Sequence, residues 1–446
     1  MIKASMAFAD ITPPQGLGLV GYPHYDRFNT GAHDPLLATC MYLNDGDNEV
    51  ALVTLDLLFF SKKHCNTARQ KAQKLCGIAK DHVMISAIHT HSGPLTSGSL
   101  DFESLQENSV QPMEYINTVT DRIAEIIARA KNSAYEAEVC WNVAICGAEK
   151  GVGGNRRLAG GPHDPLVSVI AIRDKSQAVR GVYVNYTLHP TFIHEWSTVC
   201  TADYVYYVRE QLQDMEPNAI VCFGQGASGN QSSRYYRQGE SFSEAERVGR
   251  TIGKSAHEAI ENAEWTSSAP IKVTTGSLPL ELRSFGTVEE LEKKVAEDTA
   301  RYKELYGRYG NSTDRNEYYL WQNANLKMLG SENQLGFTKL AKKGVKIELV
   351  TDEDPAEIQL ISIGDLLIAG VPGEIFVEYG LYVKAMAGYR MVIFNELTNG
   401  CLPGYVYTPE SLTTGGYETD TSTLSADFGR HLTDKVIDLA RKHKTS

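Results

Sequence analysis

The chain has 446 residues and a formal net charge of −12, and 42% of its residues are hydrophobic. This acidic balance, without lysine or arginine clusters outside the short tail at 441–444, argues against nucleic acid and anionic membrane surfaces as partners. No apolar stretch approaches the roughly 20 residues that span a bilayer, and residues 1–8 lack a signal-peptide core. We therefore expect a cytoplasmic protein that acts on a small molecule, or a secreted or periplasmic one if a leader was removed. The sequence does not indicate its oligomeric state.

Apolar strand-like runs alternate with segments of helical periodicity along the chain. Strands are predicted near 2–9, 37–44, 49–57, 82–89, 137–146, 166–173, 180–189, 219–224, 269–280, 345–350, 357–363, 366–371 and 391–396. Helices are predicted near 63–76, 112–132, 203–214, 243–263, 287–308, 315–329 and 423–442. This order predicts an α/β fold, a layered sandwich of two mixed β-sheets flanked by helices. No linker divides the chain, so we expect one domain over 1–446.

The segment 287–334 differs from the rest because it is polar and helical, with an aromatic cluster at 318–321. It predicts a helical hairpin inserted in the domain. This hairpin could form a lid or rim whose aromatic rings touch a substrate, or a solvated outer hairpin with one packed stripe. We favour the outer hairpin.

The eight cysteines include no Cys-x-x-Cys pair, and several stand in apolar strands. A chain of this length is not a disulfide scaffold, so buried free thiols are expected. Zinc-finger spacing, a Walker loop and a dinucleotide glycine fingerprint are all absent from the sequence.

The first chemical signal is the pair His89 and His91, at the end of the apolar run 83–88 and before Gly93-Pro94. If the strand continues, both imidazoles share one face with its packed residues. Imidazole is the commonest nitrogen ligand of catalytic metals, and strand ends of α/β folds are where sites are built. This pattern indicates a zinc site, with two polar residues in a turn as the alternative.

A second strand-like run, 181–188, ends in the same way at His189-Pro190, which suggests that the histidines meet at one rim. A catalytic zinc usually takes about three protein ligands and leaves one position open, so an acidic ligand is still required. Glu374, after the run 366–371 and the Pro-Gly break, is the best candidate. Alternatively, Glu374 stands at a helix N-terminus, where the helix dipole favours a carboxylate.

The loop after strand 219–222 is rich in small residues, which let a backbone approach a ligand closely. Ser228 nearly forms a nucleophile elbow, but the last glycine of that motif is out of register, so the serine-hydrolase signature fails. Ordinary loop chemistry explains this segment about as well.

In order and spacing, the motifs along nearly the whole chain resemble the catalytic domain of the neutral ceramidases. These motifs are Ala9-Asp10-Ile11-Thr12-Pro13-Pro14, His89-Thr90-His91-Ser92-Gly93-Pro94, Asn155-Arg156, His189-Pro190-Thr191, Gly229-Asn230-Gln231-Ser232, Pro372-Gly373-Glu374 and Tyr405. The resemblance implies a zinc-dependent amidase with one Zn²⁺ per chain, a place in sphingolipid metabolism and a layered α/β architecture. The chain's length matches the catalytic domain only, so we expect a short form without the C-terminal immunoglobulin-like domain of secreted ceramidases.

The resemblance also implies roles for individual residues. It places the zinc ligands at His89, His189, Glu374 and Tyr405, and the contact to the reacting carbonyl at His91. Arg156 matches the substrate-binding arginine, with Arg157 beside it as a substitute, and Tyr417 matches a second tyrosine of the site. A phenol can ligate zinc or donate to an oxyanion, although ordinary packing is the alternative for any one of 23 tyrosines.

Ser232 matches the family's serine beside the metal, but its surroundings differ. The family's Gly-Asp-x-Ser-Pro reads here Gly229-Asn230-Gln231-Ser232-Ser233, so an aspartate and a proline are replaced. Either this serine or a zinc-bound water could attack the substrate.

The mechanism implied is attack on an acyl carbonyl by water activated on zinc, whose pKa falls towards roughly 7. His91 with Arg156 and Tyr417 would stabilise the tetrahedral oxyanion, and His194 or Asp203 could move a proton from further out. Asp203 alternatively caps a helix. A ceramide-like or smaller soluble amide is the expected substrate; a lactonase or esterase on the same zinc site, or a non-catalytic ligand-binding homologue, remains the alternative.

Overall fold

The structure is a computed structural model that describes residues 1–22, 26–96, 112–312, 314–345 and 353–445. Its strands are β1 (Lys3–Asp10), β2 (Gly31–Ala32), β3 (Leu37–Asn44), β4 (Glu49–Leu55), β5 (Val83–Ala87), β6 (Tyr135–Glu136), β7 (Glu138–Ile145), β8 (Gly154–Asn155), β9 (Leu166–Arg173), β10 (Val179–Tyr186), β11 (Val199–Cys200), β12 (Ile220–Gln225), β13 (Gln231–Ser232), β14 (Ile271–Leu278), β15 (Ala356–Ile363), β16 (Leu366–Gly370), β17 (Glu374–Ile375), β18 (Met391–Asn395) and β19 (Tyr405–Val406). Its α-helices are α1 (Lys62–Cys76), α2 (Met113–Asn132), α3 (Tyr204–Met215), α4 (Phe242–Glu261), α5 (Val288–Tyr309), α6 (Arg315–Lys342), α7 (Val377–Met386), α8 (Pro409–Thr414), α9 (Tyr417–Thr421) and α10 (Phe428–Thr445).

The predicted layered α/β class is confirmed. Within the described residues, three mixed sheets have four or five strands, in the orders β5-β4-β3-β1-β6, β12-β10-β9-β7 and β14-β15-β16-β18. Two such sheets were predicted. The difference arises because β14, β15, β16 and β18 hydrogen-bond among themselves and form a sheet of their own, rather than extending the first two sheets.

The three sheets pack through one shared apolar layer. On β3 and β4, Met41, Leu43, Val50 and Leu52 face this layer, and the intervening residues face helices. The period of two follows from strand geometry, which points successive side chains to opposite faces. The second sheet contributes residues such as Ile170 to the shared layer, and the third sheet contributes residues such as Ile361 and Ile368. Sheet-to-sheet packing therefore fixes how the ends of β5, β10 and β16 lie with respect to one another.

Helices cover the outer faces. Helices α1 and α2 pack on each other and α2 packs on the first sheet, α3 and α4 pack on the second, and α7 and α10 pack on the third. The buried stripe of α4, which includes Val248, Ile252 and Ala256, recurs with the helical period, which is why this segment buries one face.

Helices α5 and α6 form the predicted hairpin. A capping box starts α5, because Thr287 Oγ1 accepts from the Glu290 N–H and the Glu290 carboxylate accepts from the Thr287 N–H. Tyr306 and Trp321 pack edge to face across the hairpin, with ring centroids 5.2 Å apart. Helix α6 runs to Lys342, beyond the predicted end at 334. The predicted strand 345–350 lies almost entirely outside the described residues.

All eight cysteines are free thiols and seven of them are buried, as predicted. Burial raises the pKa of Cys222 to about 11, so this thiol stays protonated near neutral pH. In the described part of the chain, every helix is too short or too polar to cross a membrane.

Candidate metal centre and cavity

His89 and His91 lie in the loop that follows β5. The prediction that they continue the strand on one face is wrong, because β5 ends at Ala87 and His89 takes a left-handed φ of 69°. The Ile88 N–H still donates to Leu55, the last residue of β4, but the His89 N–H donates to Leu57, which lies beyond that strand. His189 likewise follows β10 after a gap of two residues. The two loops belong to different sheets, which meet at this point.

The imidazoles nevertheless converge. The Nε2 atoms of His89 and His189 are 3.0 Å apart, and the Nε2 atoms of His91 and His89 are 3.4 Å apart. One ligand atom from each of these three histidines lies within 4.8 Å of those of the others. Glu374 Oε2 joins them, at 3.2 Å from His89 Nε2 and 3.3 Å from His189 Nε2.

Hydrogen bonds on the far side of each ring fix which nitrogen carries the proton. His89 Nδ1 lies 3.2 Å from the Leu58 carbonyl oxygen, and His189 Nδ1 lies 2.8 Å from that of Ser228. A carbonyl oxygen only accepts, so each Nδ1 is the donor and each Nε2 presents a lone pair to the shared centre. Burial, with the nearby Arg156 charge, lowers the pKa of His189 to about 3, so this ring is neutral.

The centre is therefore electron-rich and lacks a hydrogen-bond donor of its own. Two imidazole lone pairs face each other, and Glu374 Oε2 is buried without a hydrogen-bond partner in the described structure. Groups arranged in this way could hold a metal ion. The donor set of imidazole nitrogen and carboxylate oxygen fits zinc.

Glu374 is held by a turn rather than by a helix. Gly373 adopts a φ of 87°, in the region that favours glycine, and Glu374 opens β17. The alternative role at a helix N-terminus fails for Glu374, since α7 starts three residues later and Glu378 is the carboxylate in its first turn. Strand β17 pairs in parallel with β19, which places Tyr405 opposite Glu374.

Tyr405 is buried beside Arg156 and Tyr417. The Arg156 guanidinium carbon lies 5.5 Å from the centre of the Tyr405 ring, and the Tyr405 and Tyr417 ring centroids are 6.1 Å apart. Burial and the Glu374 charge raise the pKa of Tyr405 well above its usual value, which Arg156 partly offsets. The phenol is therefore neutral unless a cation is bound nearby.

Arg156 and Arg157 share one carboxylate, Glu418. Arg156 Nε donates to Glu418 Oε1 at 2.8 Å, and Arg157 Nη1 donates to Oε2 at 2.6 Å. Burial disfavours the Arg156 charge, but Glu418 and Tyr405 more than compensate and raise its pKa. Arg157 also bonds to the turn at 411–415. Arg157 thus anchors that turn, and Arg156 is the arginine beside Tyr405.

A cavity of about 1020 Å³ opens on this cluster. His91, Arg156, Ser232, Tyr405 and Tyr417 all line it, whereas His89 and His189 are fully buried beneath. The hairpin also lines the cavity, through residues that include Tyr319 and Gln322 of α6. Helix α5 is solvated with one buried stripe, as the favoured outer-hairpin alternative predicts, and the hairpin also forms part of the rim of the cavity.

Known proteins resemble this chain in sequence and fold. No family model matches it. Neutral ceramidase of Pseudomonas aeruginosa is 22% identical over 476 residues, which cover 92% of this chain and 67% of that protein. This chain is a homologue of neutral ceramidase. The motif-based resemblance is confirmed.

Solved ceramidase structures share the fold of the whole chain. The crystal structure of neutral ceramidase from Pseudomonas aeruginosa matches with a TM-score of 0.75 at 18% identity, covering 99% of this chain and 74% of that one. A structure of ceramidase complexed with C2 matches with a TM-score of 0.75 at 17% identity, covering 100% of this chain and 75% of that one. The TM-scores establish a common fold, and at identities this low the structural match shows the fold alone.

In this ceramidase homologue, Ser232 lines the cavity but lies apart from the imidazole hydrogen bonds. Its Oγ accepts from the backbone N–H of Arg234 at 3.2 Å. The serine that reaches an imidazole of this centre is Ser228, whose Oγ lies 3.2 Å from His189 Nδ1. No sequence motif links Ser228 to His189, since they are 39 positions apart.

The two residues that were predicted to move a proton, Asp203 and His194, lie in different surroundings. Asp203 caps α3 and accepts from the backbone N–H groups of Phe192, Ile193 and Tyr204. Burial raises the pKa of Asp203 to about 6, and these three bonds oppose that effect. Asp203 is thus a structural residue. His194 lines the cavity, with one ring nitrogen on Glu195 and the other accepting from Arg237.

Glu396 is a residue that the sequence analysis did not select. It is completely buried after β18, its Oε1 lies 2.5 Å from Ser228 Oγ, and its Oε2 accepts from the Ile375 N–H at 2.7 Å. Ser228 in turn holds His189, and Ile375 follows Glu374. One carboxyl group therefore positions two members of the electron-rich centre, and no sequence motif marks it.

Replacing Glu396 with alanine should weaken metal binding by roughly 10–100-fold, because partner groups of this kind orient the ligands. Burial, together with the Glu374 charge, raises the pKa of Glu396 well above its usual value, so the group is a neutral acid. Glu396→Gln keeps one hydrogen-bond acceptor and one donor at this position, so it should retain most of the metal affinity that the alanine variant loses. Competition with a chelating dye measures the metal dissociation constant. An alanine variant that unfolds at lower temperature but binds metal as wild type would show a purely structural role.

Proposed function

We propose that this protein is a zinc-dependent hydrolase that cleaves the amide bond of an N-acyl substrate. The observation that carries the proposal is the contact between His89 and His189, whose Nε2 lone pairs face each other at 3.0 Å beside the unpartnered Glu374 Oε2. His89, His189 and Glu374, with Tyr405 next to Glu374, would hold one Zn²⁺. A bound zinc ion supplies an activated water and polarises an acyl oxygen.

The chain's own residues would support the charge that develops on the acyl oxygen. His91 is half-buried at the cavity wall, and its Nδ1 has no hydrogen-bond partner among the described residues. Burial, with His89 and His189 nearby, lowers the pKa of His91 well below its usual value, so the ring is a neutral imidazole. A neutral imidazole can donate to an oxyanion, and the fixed positive charge of Arg156 favours the same anion.

The substrate class follows from the relatives. Both the curated relative and the matching structures are named as ceramidases. Ceramide is an N-acyl amide, so a ceramide-like amide or a smaller soluble one is the substrate class that we propose, with a role in lipid metabolism. An ester or lactone would pass through the same tetrahedral anion, so both belong in the assay.

Metal removal tests the proposal. The purified protein should contain about one zinc per chain by elemental analysis. Treatment with a chelator should lower the hydrolysis of an N-acyl amide by at least about 100-fold, and added zinc should restore it. Release of the fatty acid from matched amide, ester and lactone substrates identifies the bond cleaved. Full activity without metal, or a metal-loaded protein that cleaves none of the three bonds, would contradict the proposal.

A further inference from the structure

The segment 18–22 is fixed to the loop that carries His91. The two run antiparallel, and the Val20 N–H donates to the Gly93 carbonyl oxygen at 3.0 Å. Gly21 takes a left-handed φ of 106°, and a Cβ atom at this position would lie 2.6 Å from His91 Cγ and 2.7 Å from His91 Cα. The backbone of Gly21 therefore lies directly against His91, at a distance that only glycine allows.

Tyr22 packs between two imidazoles. Its ring centroid lies 5.1 Å from that of His91 at an interplanar angle of 60°, and it stacks on His194 at 5.2 Å and 28°. The phenol donates to the Ile193 carbonyl oxygen at 2.9 Å, and the Arg27 guanidinium carbon lies 4.8 Å from the centre of the ring. These contacts hold the Tyr22 ring in one place beside His91.

Arg27 fixes the main chain at the same point. Its side chain is buried, and Nη2 donates to the carbonyl oxygens of His91 and Val20, at 2.7 Å each. Nη1 donates to the Ser197 carbonyl oxygen at 3.3 Å. One guanidinium thus ties three loops together and fixes the backbone of His91. The side-chain torsions of His91 depend on other contacts.

The ring of His91 lacks the hydrogen bond that orients its neighbours. His89 and His189 each donate from Nδ1 to a backbone carbonyl oxygen, which fixes the ring. By contrast, His91 Nδ1 is buried without a hydrogen-bond partner among the described residues. Packing therefore orients the His91 ring, which contacts His89 and His189 of the metal centre and Tyr22 outside it.

We propose that Tyr22 is a positioning residue, which holds the His91 imidazole in the orientation that contacts the reacting acyl oxygen. This proposal rests on the hydrolase proposed above and on the role that it gives to His91. A hydrogen bond to a developing anion weakens steeply when its angle is poor, and a displacement of about 1 Å can cost about 100-fold in rate. The orientation of His91 therefore matters as much as its presence.

A double-mutant cycle tests the coupling between Tyr22 and His91. In the zinc-loaded protein, Tyr22→Leu should lower kcat for an N-acyl amide by about tenfold or more and leave the zinc content unchanged. In the His91→Ala background, the same substitution should change kcat by less than about twofold, because no imidazole remains to be displaced. Tyr22→Phe keeps the ring and loses only the bond to the Ile193 carbonyl oxygen, so it should retain most of the wild-type kcat.

Tyr389→Leu is the matched control. Tyr389 is likewise a half-buried tyrosine that packs on a histidine, His443, but it does not line the cavity. This variant should retain the wild-type kcat. A thermal melt shows whether Tyr22→Leu folds; if it does not, Tyr22→Met, which fills more of the space with a flexible chain, takes its place.

A crystal structure of Tyr22→Leu gives a readout that needs no turnover. The His91 imidazole should be rotated or occupy more than one rotamer in this variant. His89 and His189 should keep their orientations, since their Nδ1 atoms donate to carbonyl oxygens.

The outcomes separate this proposal from the one on which it rests. An equal loss of kcat in both backgrounds, a loss expressed only in KM, or a His91 ring that keeps its orientation would overturn the positioning role and leave the hydrolase proposal standing. Failure of the zinc-loaded wild type to cleave any amide would contradict the hydrolase proposal itself, and this inference with it.

Discussion

Replacing His189 with alanine should abolish stoichiometric zinc binding and nearly all hydrolytic activity. His189 is fully buried, and its Nε2 faces both His89 and Glu374. Losing a partner that merely orients a ligand typically costs 10–100-fold in metal affinity, so the loss of the ligand itself should cost more. Elemental analysis and the amide assay measure the two effects.

A thermal melt distinguishes loss of metal from loss of fold. Zinc at about 100 times its dissociation constant should stabilise the wild type by about 2.7 kcal/mol, and this rise in Tm should be absent in His189→Ala. His431→Ala is the matched control, because His431 is partly exposed on α10 and pairs with Glu281. It should keep wild-type zinc content. A folded His189→Ala protein with full zinc content would exclude His189 as a ligand.

Much of the fold could be predicted because its signals are local. The alternation of buried residues on β3 and β4, and the helical stripe of α4, are visible in the sequence and survive in the structure. The number of sheets could not be predicted in this way. Whether β16 pairs with β18 or with a strand of another sheet depends on contacts between distant segments, which periodicity does not encode.

The site shows the same division between local and distant information. The two strand ends predicted that His89 and His189 meet, and the family resemblance placed Glu374 with them. The conformation that brings them together was not predictable, since His89 has a left-handed φ and its N–H donates to Leu57, which is distant in the sequence. Glu396 was missed for a related reason: its contacts are to Ser228 and Ile375, and an isolated glutamate after a strand carries no signal.

The place of the hairpin at the cavity was not favoured from the sequence because the hairpin is polar around much of its circumference. A polar helix is typical of a solvated surface, but the same side chains also suit the wall of a cavity that binds a polar group. Composition alone does not distinguish a surface exposed to water from a surface exposed to substrate. The structure makes that distinction, because Tyr319 and Gln322 of α6 line the cavity.

His91 should behave differently from His189 although the two rings are close. Its Nε2 lies 3.4 Å from His89 Nε2, so distance alone would allow His91 to bind a metal together with His89, His189 and Glu374. Its exposure differs, however. His91 is half-buried at the cavity wall and packs against Tyr22, with ring centroids 5.1 Å apart, whereas His89 and His189 are almost completely buried. A residue at the wall can contact the substrate, which the deeper pair cannot.

We therefore expect His91→Ala to keep its zinc and to lose activity through kcat. Removing one donor to a developing oxyanion typically lowers kcat by about 10²–10³-fold with little change in substrate binding. Zinc content, kcat and KM measured on the same preparation separate the possible roles. Unchanged kcat would exclude the oxyanion contact, and loss of zinc together with activity would make His91 a ligand. In the second case the cluster of three histidines, rather than two histidines with Glu374 and Tyr405, would define the metal site.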